Sequence, residues 1–231
     1  MKKIVFLIFM FLLPSWVMAS GNTHLEKINL DPNDQASLQR GAKTFVNYCL
    51  NCHSAALMRY SRVAKDLGLS EEEVTKNLMF ATNKIGDTMT VAMPSAESKK
   101  WFGTSPPDLS VITRARGADW VYTYLKSFYL DLSRPFGVNN LVFKDVNMPH
   151  ILWELQGYAH KEGEHLKIIK PGSQTAEQYD ATVYDLVNFM AYVGEPSILE
   201  RLRLRTWVMI FLAIFTVFAY LLKKEFWKDV H

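Results

Sequence analysis

The sequence predicts a mainly α-helical exported head carried on one C-terminal transmembrane helix. Three features lead there: an export signal at the start, helical periodicity through the middle, and a long uncharged apolar run near the end.

The N-terminus reads Met1-Lys2-Lys3, then an apolar stretch from Ile4 to Leu13, then Val17-Met18-Ala19. A basic start, a short apolar core and a small residue at the exit make residues 1–19 a signal peptide. Pro14 breaks the run, and the uninterrupted segment is too short to span a bilayer. At the other end, residues 206–222 carry no charge, with Arg201, Arg203 and Arg205 before them and Lys223, Lys224 and Lys228 after. Seventeen helical residues cover about 25 Å, a little less than the hydrocarbon core, and flanking basic residues with Trp207 and Trp227 suit the two interfaces. Residues 201–231 are therefore expected to form the anchor and a short cytoplasmic tail, and residues 20–200 the exported domain.

The formal charge of +3 belongs to these ends. Residues 20–200 hold 18 Lys or Arg against 21 Asp or Glu, so the head is near −3. Nucleic-acid binding has no charge footprint here. A mildly acidic head favours a basic protein partner.

Within the head, residues 22–33 are polar and turn-rich and read as an extended arm. Leu38, Ala42, Phe45 and Val46 mark a helix over 35–48, and Ser70 with Glu73 forms a capping-box pattern opening a helix through Met79. Residues 82–110 are mixed, and 118–128 read as an aromatic-rich helix. Pro135, Gly137, Asn139, Asn140 and Pro149 make 131–150 irregular. Residues 156–172 suit a surface excursion or a short hairpin. Val183, Leu186, Val187 and Met190 follow helical spacing through 176–193, with Thr175 and Gln178 as cap and Gly194 with Pro196 as stop.

Cys49-Leu50-Asn51-Cys52-His53 has the C-x-x-C-H spacing of c-type haem attachment. One turn presents two thiols to the two haem vinyl groups, and the adjacent imidazole can then reach the iron. These are the only two cysteines in the chain, and they follow an export signal. A thioredoxin-like pair would need a surrounding βαβ pattern, a structural zinc site a fourth ligand, and a plain disulfide would leave His53 without a role. One covalently attached haem c is the expected cofactor, with His53 as one iron ligand.

The second iron ligand is open on these grounds alone. Methionine sulfur favours reduced iron. Met93 and Met148 each precede a proline that fixes the backbone as a loop, and His150, His160 and His165 are further candidates. With both axial faces filled, the iron relays single electrons and binds no substrate. Arg114 and Arg116, just after a double-proline turn, are candidates for the haem propionates because guanidinium matches carboxylate geometry. Trp101, Trp120 and Trp153 are expected in the haem pocket or core.

Nearly the whole chain resembles the cytochrome c1 family, the haem-bearing subunit of quinol–cytochrome c reductase (bc1) complexes. The features are the signal peptide, the Cys49 to His53 motif, Pro106-Pro107-Asp108-Leu109-Ser110, Arg114-Ala115-Arg116, the segment from Asn139-Asn140 through Met148-Pro149-His150 to Trp153, and the anchor. The resemblance is to the variant of beta- and gamma-proteobacterial members, and it implies a class I-like cytochrome c head with loop insertions. The helix at 35–48 should then cross that at 176–193. It selects Met148 as the sixth ligand and favours Arg116 over Arg114 at the propionates. It implies electrons arriving from a Rieske iron–sulfur subunit and leaving to a cytochrome c. The anchor would pack on a cytochrome b subunit in a dimeric complex, with the head in the periplasm and the C-terminus in the cytoplasm of a bacterial inner-membrane protein. No general acid or base is expected. Two rival readings are a stand-alone tethered cytochrome c feeding a terminal oxidase or reductase, and a haem-based sensor. Excursions at 54–110 and 156–172 argue against the first, and the nine residues after the anchor argue against the second.

Overall fold

The computed structural model describes residues 24–228, apart from Ala92 and Glu164, so the signal peptide expected at 1–19 lies outside the described residues. Two crossed helices organise the head. Helix α1 (Gln35–Thr44) starts where the Asp34 carboxylate accepts the Ser37 amide hydrogen at 2.9 Å. It runs into a π-helical turn, Phe45–Cys49, so the helix expected over 35–48 is present but changes its winding after Thr44. Helix α8 (Ala176–Gly194) opens on the full reciprocal cap between Thr175 and Gln178.

The crossing is close because Gly41 has no side chain. A Cβ there would collide with the Asp185 carbonyl and with Cβ of Phe189. Around the contact, Arg40 forms a two-pronged bond to the Asp185 carboxylate at 2.6 and 3.0 Å. Phe45 packs on Phe189 with ring centroids 5.6 Å apart. Asn188 donates to the Asp31 carbonyl at 2.8 Å and to Ser37 Oγ at 3.1 Å. Leu38, Ala42, Val183, Leu186 and Val187 are buried beside it.

The remaining elements wrap this pair. Strand β1 (Ala55–Arg59) follows the haem motif and pairs with β2 (Thr88–Met89), enclosing α2 (Tyr60–Asp66) and α3 (Glu71–Leu78). Both halves of the Ser70–Glu73 capping box are formed. Helices α4 (Ser95–Phe102), α5 (Ile112–Arg116) and α6 (Ala118–Lys126) come next. Thr113 Oγ1 donates to the Met190 carbonyl at 3.2 Å, and the Tyr179 hydroxyl to the Leu125 carbonyl at 2.9 Å, fixing α5 and α6 on α8.

Two further ribbons complete the head: β3 (Phe128–Leu130) with β4 (Val138–Asn140), and β5 (Gly157–Glu162) with β6 (His165–Pro171), separated by the single turn α7 (Trp153–Gln156). The hairpin expected within 156–172 is thus present. The stretch 131–150 is irregular except for β4.

The arm at 24–33 forms no helix or strand and lies along α6. The Glu26 amide donates to Thr123 Oγ1 at 2.9 Å, the Ile28 amide to Asp119 at 3.0 Å, and Lys27 pairs with Asp119 at 2.7 Å. The Lys27 bond, and after it the Ile28 amide, hold the Asp119 carboxyl below its usual range. A depressed carboxyl contributes stability above its ordinary value of about 3.9, and that contribution is lost as pH falls through the depressed value. Amide protection of residues 26–30, corrected for intrinsic exchange rates, is therefore expected to drop below about pH 4. In Asp119→Asn it should be low at neutral pH already.

The last helix, α9, runs Ile198–Phe226, 29 residues or about 43 Å. It contains the expected apolar run at 206–222 and continues through the arginines that precede it. Residues 200–226 are long and apolar enough to cross a membrane. Trp207, Phe211, Phe215 and Phe218 are left exposed by the protein, as a lipid-facing surface requires.

Candidate haem site

The motif sits at the end of α1. The π turn closes with Leu50 N donating to the Phe45 carbonyl at 3.0 Å, and the amides of Cys52 and His53 then both donate to the Cys49 carbonyl, at 3.0 and 2.8 Å. A π turn takes an extra residue into the winding, a distortion common at functional positions. Here it delivers Cys49 buried and Cys52 half-buried to one cleft. Burial pushes the free Cys49 thiol up to about 12 and raises Cys52 as well. Thiols held protonated in this way make poor exchange nucleophiles, which argues against a dithiol redox pair.

The next segment orients His53. Its Nδ1 lies 2.8 Å from the Pro107 carbonyl oxygen. A carbonyl only accepts, so Nδ1 carries the proton and donates, leaving the Nε2 lone pair free. Burial lowers the His53 pKa, against the opposing pull of that bond, and so favours the neutral, ligating form.

Pro107 is in turn pinned to β1. Asp108 accepts the Ala56 amide at 2.9 Å and the Ser110 amide at 2.8 Å, Ser110 Oγ accepts from Leu57 N at 3.1 Å, and Leu109 N donates to the Ser54 carbonyl at 2.7 Å. Partial burial pushes the Asp108 carboxyl up, but the bonds from Ser110 and Ala56 outweigh it and hold it below its usual range. The Pro106-Pro107-Asp108-Leu109-Ser110 motif is thus a brace that fixes one carbonyl against one imidazole.

A third segment brings Met148. Asn139 and Asn140 staple the loop before it: Asn139 Oδ1 accepts the Asp145 amide at 2.9 Å, and Asn140 Oδ1 accepts those of Val142 and Phe143 at 2.9 and 3.1 Å. Arg134 adds bonds to the Asp145 carbonyl at 2.7 Å and to Asn147 Oδ1 at 3.3 Å. The Tyr124 hydroxyl donates to Met148 Sδ at 3.3 Å.

The three segments line one cleft, open to solvent on one side. Cys49, Cys52 and His53 line it together with Met148, and Phe102, Pro106, Pro107, Pro149 and Ile151 make its walls largely carbon. Two thiols, an imidazole with a free Nε2, a thioether and apolar walls are the donor set and surface that a covalently held porphyrin iron needs.

The described lining includes Met148 and none of Met93, His150, His160 or His165. His150 is buried and stacked on Phe128 at 4.9 Å. Arg114 and Arg116 are exposed on α5 and lie outside the lining, with the Arg116 guanidinium 5.2 Å from the centre of the Trp120 ring. Trp101 and Trp153 depart from the expected pocket or core placement. They are 60 % and 42 % exposed, and it is Phe102, next to Trp101, that faces the cleft. Tyr124 escaped the residue-level reading because a hydroxyl whose partner lies 24 residues away carries no spacing signal.

Comparison with known proteins agrees with this geometry. The model of the Cytochrome C1 family matches residues 26–230. The chain is 50 % identical to a cytochrome c1 of Allochromatium vinosum, over all of both chains. It is 48 % identical, again over all of both chains, to a Nitrosomonas europaea protein described as the ammonia monooxygenase gamma subunit. A cytochrome c1 of Rhodospirillum rubrum is 25 % identical, with 85 % of this chain and 83 % of that one covered. The chain therefore belongs to the cytochrome c1 family, whose members carry covalently attached haem c and serve as the electron-transferring haem subunit of bc1 complexes.

Proposed function

We propose that the haem c of this family would be held in the cleft between Cys49 and Met148, with Cys49 and Cys52 supplying the sulfurs that attach it and His53 Nε2 and Met148 Sδ the two donors to its iron. One observation carries this reading. His53 donates a hydrogen bond from Nδ1–H to the Pro107 carbonyl and keeps the Nε2 lone pair free, beside the cleft that both His53 and Met148 line. When bound, the haem supplies a one-electron iron couple poised upward by thioether ligation.

The chain's own residues then have defined tasks. Pro107 fixes the imidazole tautomer and orientation. The staple at 139–147 holds the sulfur in place, and Phe102, Pro106 and Ile151 exclude water from the iron. Arg116, with Arg114 beside it, neutralises the propionates; its support is the guanidinium's position over Trp120, which stacks on Tyr124 beside the cleft.

The same reading places residues 20–200 in the periplasm after removal of residues 1–19, with residues 201–231 as the anchor and tail and the C-terminus in the cytoplasm. Its support is the export signal at one end and the apolar helix at the other. Electrons enter from the Rieske subunit and leave to a cytochrome c, in a dimeric complex in which α9 packs on cytochrome b. Gentle solubilisation of the native membrane, followed by purification on this chain, is expected to recover a b-type cytochrome and an iron–sulfur protein in equal amounts with it. Recovery of the chain alone would support a stand-alone tethered carrier instead.

A further inference from the structure

We propose that Tyr124 tunes the reduction potential of this site by donating its hydroxyl hydrogen to the Met148 sulfur. The inference rests on Met148 being an axial ligand and goes beyond it, to what sets the strength of that ligand. A thioether sulfur has two lone pairs, so one can face the iron while the other accepts a hydrogen bond. The Tyr124 hydroxyl lies 3.3 Å from Sδ. Among the described residues it is the hydrogen-bond donor to that sulfur.

The rest of Tyr124 is arranged so that the hydroxyl cannot turn away. Its ring stacks on Trp120 at 5.0 Å with planes 9° apart and lies 5.2 Å from the Phe128 ring with planes 70° apart. Its carbonyl accepts the Asn140 side-chain amide at 2.8 Å, the same Asn140 that holds the amides of Val142 and Phe143. Donor and acceptor are thus fixed to one scaffold by a single asparagine. A phenol ordinarily ionises near pH 10, so the hydroxyl is a donor at physiological pH. In an apolar setting such a bond is electrostatically stronger than in water.

Its effect has a definite sign. A proton directed at sulfur withdraws electron density that the sulfur would otherwise give to iron. Ferric iron depends on that density more than ferrous iron does, so the bond favours the reduced form. Removing it should lower the potential.

The test compares the haem-loaded full-length chain, in its native membrane complex, as wild type, Tyr124→Phe and Tyr122→Phe. Tyr122 stands on the same helix and its hydroxyl faces Lys126 at 3.4 Å, so its loss controls for deleting a phenol from α6. Each protein is measured by redox titration of the haem and by the methionine-to-iron charge-transfer band of the oxidised form.

Tyr124→Phe is expected to keep the band. Its ferric–ferrous equilibrium should shift toward the oxidised form by roughly threefold to tenfold, about 28 to 59 mV for one electron, while Tyr122→Phe stays at the wild-type value. An unchanged potential in Tyr124→Phe, or an equal fall in Tyr122→Phe, overturns the inference and leaves Met148 as ligand. Loss of the band in Tyr124→Phe alone overturns it too, because Tyr124 would then hold the ligand in place without tuning it. Absence of the band from wild type removes Met148 as a ligand, and the inference goes with it.

Discussion

Met148→Ala is expected to abolish the methionine-to-iron charge-transfer band and to lower the haem potential by on the order of 0.1 V or more, within the roughly 0.8 V that axial ligands command. The thioether is the soft donor that stabilises ferrous iron, and alanine leaves either water or an empty position in its place. The change also removes the acceptor of the half-buried Tyr124 hydroxyl, Met148 Sδ. An unpaired hydroxyl costs up to about 1–3 kcal/mol when fully buried and less where water reaches it, so only a small fall in thermal stability should accompany the spectral loss. Met93→Ala should leave band and potential unchanged, since Met93 lies outside the described lining of the cleft. The reverse result, with the band lost in Met93→Ala and kept in Met148→Ala, would contradict the assignment.

Gly41→Ala should strongly destabilise the head. The added methyl meets the Asp185 backbone carbonyl and the first side-chain carbon of Phe189, neither of which can swing aside as the tip of a long side chain would. Relief requires α1 to move off α8, opening the Phe45–Phe189 contact and the Arg40–Asp185 pair with it. Overpacking of this kind costs about 3 kcal/mol, or on the order of 6–12 °C in melting temperature for a domain of this size. Because α1 leads through the π turn to Cys49, haem incorporation should fall as well. Gly86→Ala is the matched control: nothing lies within 4 Å of a Cβ there, and its melting temperature should match the wild type. Melting curves of the loaded proteins check both.

The parts of this fold that sequence makes legible are those whose causes are local. Ser70 with Glu73 and Thr175 with Gln178 announce helix starts because each cap is closed within four residues, and both caps form. The C-x-x-C-H spacing is local in the same sense. The apolar run at 206–222 is legible because lipid demands composition and no partner.

What escaped is what depends on distant partners. Gly41 looks like any helix-weakening glycine until the Asp185 carbonyl is placed against it. The Pro107 carbonyl has no side-chain identity at all, yet it decides which nitrogen of His53 is free. Strands β1 to β4 have at most five residues each, too few to show alternation, and β1 pairs with β2 across two intervening helices. Trp101 and Trp153 were expected inside because they are large and apolar. Their exposure beside the cleft and on Tyr158 shows how weakly residue type alone fixes burial at the rim of a site.

The central claim is covalent: a porphyrin iron fastened to Cys49 and Cys52. Acidified-acetone extraction of the purified full-length chain, followed by a visible spectrum of both fractions, tests it most directly. The haem absorption is expected to stay with the precipitated polypeptide in the wild type and to be missing from the Cys49→Ala, Cys52→Ala double variant. Colour passing into the acetone, or a wild-type chain with two free thiols and no visible bands, would contradict it.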